Sequence, residues 1–125
     1  MVLAQQIITN TKDVFIKPNT NVLMECKIID YDPNQDLIEW CKNDFCTWGR
    51  LFEVTSQQRL QYKSLPKYFI TGNRTYGEWN LLIENVTESE VGDYKCSLTR
   101  RSTKLKIESK PTKLMLMSKT VFIYF

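Results

Sequence analysis

Asp93-Tyr94-Lys95-Cys96-Ser97-Leu98 alternates large or apolar residues with polar ones, and the reading of this stretch decides the fold. A period of two places Tyr94, Cys96 and Leu98 on one face of a strand, with Lys95, Ser97 and Thr99 on the other. Two upstream stretches share the pattern. Val22-Leu23-Met24-Glu25-Cys26-Lys27-Ile28 sends Val22, Met24, Cys26 and Ile28 to one face, following the turn-forming Pro18-Asn19-Thr20-Asn21. Leu37-Ile38-Glu39-Trp40 turns Trp40 inward and leaves Glu39 and Cys41 outward.

Strand signals continue on either side. The polar turn Lys42-Asn43-Asp44 leads into a β-rich run from Thr47 to Thr55, which reads as a hairpin. Lys67-Tyr68-Phe69-Ile70 ends at the turn pair Gly72-Asn73, and Trp79-Asn80-Leu81-Leu82-Ile83 directs Trp79, Leu81 and Ile83 inward. Thr87-Glu88-Ser89-Glu90 has the form of a capping box for one helical turn. Pro111 to Met117 completes a set of at least seven short strands, the pattern of an all-β sandwich or barrel.

Composition narrows the function. The chain of 125 residues suits one compact domain. It has no histidine, which excludes Ser-His-Asp and Cys-His nucleophile systems and His-ligated zinc. Phosphate loops, H-E-x-x-H and G-x-S-x-G are missing too, so the chain reads as a non-enzyme without cofactor or catalytic residues. Met1 to Gln6 lacks the basic and apolar regions of an intact signal peptide, and no apolar run approaches the ~20 residues of a membrane span. The chain as given therefore reads as soluble, with membrane attachment only through segments outside it. Asn73-Arg74-Thr75 and Asn85-Val86-Thr87 match the N-glycosylation acceptor, making Asn73 and Asn85 candidate sites in a secreted chain.

Four cysteines suit two disulfides or one four-thiolate zinc site. Zinc needs close ligand pairs on both sides, whereas only Cys41 and Cys46 are close, and Cys26 and Cys96 are isolated singles. The order Cys26, Trp40, Tyr94, Cys96 resembles the Cys…Trp…Cys spacing of an immunoglobulin domain, with Tyr94 where that fold has its tyrosine corner. The resemblance implies a V/I-type sandwich of two antiparallel sheets, a core bridge from Cys26 to Cys96 with Trp40 packed on it, and an extracellular setting. A turn through Lys42 to Phe45 would bring Cys46 opposite Cys41 for a second bridge. Two free surface thiols, or another of the three connectivities four cysteines allow, are the alternatives.

Trp40-Cys41-Lys42-Asn43-Asp44-Phe45-Cys46-Thr47-Trp48-Gly49 resembles the W-T-K-D-x-F-x-L-G stretch in the first immunoglobulin domain of Kirre/Neph proteins, the partners of nephrin. Leu65-Pro66-Lys67-Tyr68, Gly77-Glu78-Trp79-Asn80-Leu81 and Ser109-Lys110-Pro111-Thr112-Lys113-Leu114 are similar to further stretches of that family in the same order. The longer run from Gly49 to Leu60 also resembles the neuronal Dpr and DIP surface proteins. The similarity covers residues 15–117, leaving 1–14 as an N-terminal segment and 118–125 as a tail. It implies a cell-surface adhesion domain that pairs with itself or a related protein through the sheet of strands G, F, C and C′. A base and an acid, Lys67 and Glu90, are expected to join strand D to the E–F turn as a structural pair.

The expected contact set follows from parity and from the hairpin: Glu39, Lys42, Asp44, Phe45, Trp48, Phe52, Lys95, Ser97, Thr99 and Arg101. Trp48 or Phe52 would alternatively close the bottom of the core. Charge is segregated: residues 95–113 hold seven bases against one acid, and residues 25–53 hold seven acids against three bases. Opposite signs on one sheet suit steering and register between two surfaces, or merely a solvated exterior. A secreted ligand-binding or decoy module of the same fold is the alternative function, with Arg100-Arg101 and Lys104-Leu105-Lys106 as a polyanion-binding stretch.

Overall fold

The computed structural model describes residues 6–9, 12–44, 46 and 68–117. The expected strands at Thr47 to Thr55, the aromatics Phe45, Trp48 and Phe52, and the Lys67 partner of Glu90 lie outside the described residues. Ten strands are described: β1 (Gln6–Thr9), β2 (Val14–Ile16), β3 (Val22–Met24), β4 (Cys26–Ile29), β5 (Asp36–Lys42), β6 (Tyr68–Thr71), β7 (Asn80–Ile83), β8 (Gly92–Arg100), β9 (Lys106–Glu108) and β10 (Thr112–Leu116). One sheet runs β2-β10-β8-β5, with β9 added beside β8. The other runs β3-β7-β6, and β4, the continuation of β3, pairs with β1.

Alternation sets which side chains meet between the sheets. Val22, Met24, Cys26 and Ile28 from β3 and β4 meet Ile38 and Trp40 from β5, Leu81 and Ile83 from β7, and Tyr94, Cys96 and Leu98 from β8, all buried. Tyr68, Ile70, Trp79, Val86 and Leu114 complete this core, each buried. Cys26 and Cys96 are joined across it by a disulfide. Trp40 packs into the same cluster and donates its indole N–H to the Trp79 carbonyl at 2.7 Å. The break between β3 and β4 has a local cause. The Asn80 side-chain oxygen takes the Cys26 N–H at 3.0 Å, while Trp79 N–H donates to the Cys26 carbonyl at 2.8 Å.

The first strand is split between the sheets. β1 runs antiparallel to β4, and β2 runs parallel to β10 at the edge of an otherwise antiparallel sheet. Strand pairing also begins at Gln6, within the expected 1–14 segment, and Ile7 packs on the core. The Thr87–Glu90 capping box forms as expected, with Glu90 Oε1 accepting from the Thr87 N–H at 2.7 Å. Tyr94 makes the tyrosine corner: its hydroxyl donates to the Glu90 carbonyl at 2.5 Å and lies 3.3 Å from the Tyr68 hydroxyl. Gly77 closes the 3₁₀ turn Arg74–Tyr76 at φ 79°, where a Cβ would stand 2.5 Å from the Ile28 carbonyl oxygen. Two sheets, a buried bridge, the tryptophan and the corner make this an immunoglobulin-like sandwich.

Candidate functional site

The candidate contact face is the outer side of β5, β8 and β9, and their ladder fixes which residues stand side by side. Leu37 pairs with Thr99, Glu39 with Ser97 and Cys41 with Lys95. On the other edge of β8, Thr99 pairs with Lys106 and Ser97 with Glu108. Glu39, Lys95 and Thr99 are half-buried and Arg101 is exposed, so these four expected contact residues are at the surface.

Ser97 and Cys41 are not. Both point away from the core as parity requires, yet both are 0 % exposed. Ser97 is a small side chain between the longer Glu39 and Glu108, so the expectation that it contacts a partner is corrected. Its hydroxyl has no hydrogen-bond partner. Cys41 is held in a disulfide with Cys46. Asn43 and Asp44 both take left-handed conformations, with φ 49° and 68°, as a two-residue type I′ hairpin turn demands. The Cα atoms of the two cysteines are 4.1 Å apart.

The basic side chains of β8 are largely spent on the acids of neighbouring strands. Lys95 Nζ lies 2.9 Å from Asp44 Oδ1 and 3.3 Å from Glu108 Oε1, tying the hairpin tip to β9. The hydrogen bond to Asp44 raises the Lys95 pKa. At the other end of the ladder Arg100 Nε and Nη2 approach the two oxygens of the buried Asp36 carboxylate at 3.1 and 3.5 Å. Asp36 Oδ2 also accepts the Asp32 N–H at 2.8 Å. Lys106 completes a pair with Glu108 at 3.5 Å. Opposite signs on adjacent strands therefore neutralise one another within this domain first.

Lys42 is committed elsewhere. Its Nζ donates to the Ser89 carbonyl at 2.6 Å and lies 6.0 Å from the centre of the Tyr94 ring, fastening β5 to the turn after β7. Desolvation there lowers its pKa, against the opposing attraction of Glu90. Two residues that sequence reasoning passed over also belong to the face, Leu37 and Glu108. Glu108 was visible as the lone acid in a run of seven bases, but only the register reveals that Lys95 and Lys106 converge on it. The arrangement is a polar rim around half-buried side chains. Among the described residues no group of three or more acidic, cysteine or histidine side chains converges to hold a metal, and no helix is long and apolar enough to cross a membrane.

No protein-family model matches the chain. Over 115 residues, 92% of the chain, it is 23% identical to the synaptogenesis protein syg-1 of Caenorhabditis elegans. The similarity supports the immunoglobulin superfamily. The chain spans 14% of the length of that protein, so the match is to a domain-sized portion of it.

Proposed function

We propose that the chain is an extracellular recognition domain of a cell-adhesion protein, related to the Kirre/Neph type, that pairs with itself or a similar immunoglobulin protein. The contact surface in this reading is the outer face of β5, β8 and β9, extended by the hairpin that follows β5. The observation that carries it is the similarity to a synaptogenesis protein along nearly the whole chain. The two disulfides support an oxidising, extracellular setting, since such bridges persist there and rarely in the cytosol. Glu39 and Thr99 are the contact residues within the ladder, with Leu37 as a half-buried apolar neighbour and Arg101 in the turn that follows β8.

The test is a binding screen of the immobilised domain against itself and a panel of extracellular immunoglobulin domains. Thr99→Arg is expected to weaken whatever pairing is found by at least about tenfold, which is about 1.4 kcal/mol. Leu23→Ser, on the opposite sheet, is expected to leave it unchanged. Loss with Leu23→Ser and none with Thr99→Arg would move the contact surface to the other sheet.

A further inference from the structure

The outer face of the second sheet carries an apolar row that the proposed pairing does not use. Register places Leu23 of β3 opposite Leu82 of β7, and Leu82 opposite Phe69 of β6, so the three side chains cross the sheet in one line. Leu23 is 50% exposed, and Leu82 and Phe69 are half-buried. Ile8, 53% exposed, lies on the same side opposite Lys27. An exposed apolar row on a secreted domain invites association unless something covers it.

Both glycosylation acceptors flank this row. Asn85 follows β7 by two residues and stands three residues from Leu82, about 10 Å at ~3.3 Å per residue of strand. Asn73 follows β6 by two residues and stands four from Phe69. Both asparagines are exposed. Their backbones are held by side chains: the Asn73 N–H donates to Glu78 Oε1 at 2.8 Å, and the Asn85 N–H donates to Asn21 Oδ1 at 2.9 Å. Neither lies on the β2-β10-β8-β5 sheet. The two acceptors thus mark the ends of one sheet and leave the other clear.

We propose that Asn73 and Asn85 carry N-linked glycans that cover the Leu23-Leu82-Phe69 row and leave the opposite sheet as the open contact face. The proposal rests on the extracellular reading above, but no partner need be known to test it. Sugar rings have apolar C–H faces that pack on such side chains, while their hydroxyls stay in water. Thr75 is exposed, whereas the Thr87 hydroxyl is engaged by the buried Glu90 at 2.9 Å. Glycan transfer to Asn85 therefore precedes folding of the Thr87–Glu90 turn.

The full chain is secreted from animal cells behind a cleavable signal peptide and its bridges are checked by non-reducing peptide mapping. Treatment with peptide N-glycosidase in heavy-oxygen water is expected to convert Asn73 and Asn85 to labelled aspartate. Asn73→Gln and Asn85→Gln each remove one mobility step on a gel. Enzymatic removal of both glycans is expected to raise binding of a hydrophobic dye severalfold and to induce self-association, and Leu23→Thr reverses both. Correctly bridged, secreted protein with neither asparagine labelled overturns the modification. Glycans whose removal changes neither dye binding nor association overturn the shielding. Absence of any partner in the binding screen, with labelled asparagines, counts against the adhesion reading and leaves this one standing.

Discussion

Tyr94 shows how much a single side chain decides in this domain. Its ring fills the core, and its hydroxyl serves the Glu90 carbonyl and the Tyr68 hydroxyl together. Tyr94→Phe leaves that buried carbonyl without its donor, and we expect a loss of about 1–3 kcal/mol in urea unfolding with an unchanged slope. Ser97 is the opposite case. Because its buried hydroxyl has no partner, Ser97→Ala is expected to be neutral or to stabilise by up to about 1 kcal/mol, read as a rise in melting temperature. The tyrosine pair also sets an alkaline limit. Burial pushes the Tyr68 phenol up to about 12 and raises that of Tyr94 as well. Unfolded tyrosines ionise near pH 10, so above that pH the unfolded chain releases protons that the folded one keeps. Stability is therefore full below about pH 10 and falls as pH rises towards 12, with phenolate absorbance from these two tyrosines appearing well above the pH at which exposed tyrosines ionise. Every tyrosine ionising near pH 10 while the fold persists would contradict this.

At the scale of elements, local rules and long-range register contribute differently. The turn after β7 is locally encoded: Thr87 and Glu90 satisfy each other, and Thr87→Ala is expected to cost about 1 kcal/mol by chemical denaturation. The hairpin clip is similarly local. Cys41 and Cys46 are separated by 5 residues and Cys26 and Cys96 by 70. On the chain-entropy account the short loop is worth about 2 kcal/mol and the long one about 4 kcal/mol. Replacing Cys41 and Cys46 with serine together is thus expected to lower stability by about half as much as losing the core bridge, and to leave the sandwich folded by circular dichroism. Strand parity correctly oriented Trp40, Trp79, Leu81, Tyr94 and Cys96 because each alternates against one apolar interior. Parity assigned Ser97 and Cys41 to the outside, which is right for direction and wrong for accessibility. Whether an outward side chain is reachable depends on the lengths of its neighbours on two other strands.

For the whole molecule, the central question is how two sheets of one sandwich come to differ. One carries the ladder of paired charges; the other carries the apolar row and both acceptor asparagines. Net charge is only +3, and part of the stronger segregation along the chain folds into short-range pairs, Lys95 with Asp44 and Arg100 with Asp36. Salt is accordingly expected to weaken partner pairing only modestly, because charges paired within the domain release little on docking. A steep fall in affinity between low and physiological salt would show that unpaired bases such as Lys104 and Lys110 dominate instead. The core bridge acts at this scale as well. Its ~4 kcal/mol is a large share of the ~5–15 kcal/mol that holds a domain of this size together, so Cys26→Ala with Cys96→Ala is expected to fold marginally at 37 °C.

The amino-acid sequence by itself determined the all-β class, the inward residues of five strands and the capped turn, because each depends on short-range periodicity; the sandwich and the Cys26–Cys96 bridge came from the family resemblance, and the structure chose the Cys41–Cys46 bridge among the open pairings. Much of the expected contact set was legible as directions of side chains: Glu39, Lys95, Thr99 and Arg101 do reach the surface, while Phe45, Trp48, Phe52 and Lys67 lie outside the described residues. Only the tertiary structure decided that Ser97 and Cys41 are covered, that Lys42 is bonded to Ser89, and that Lys95 and Arg100 answer Asp44 and Asp36. Those outcomes hinge on which residues stand opposite one another across strands some 50 positions apart, and that is set by the register of the whole sheet.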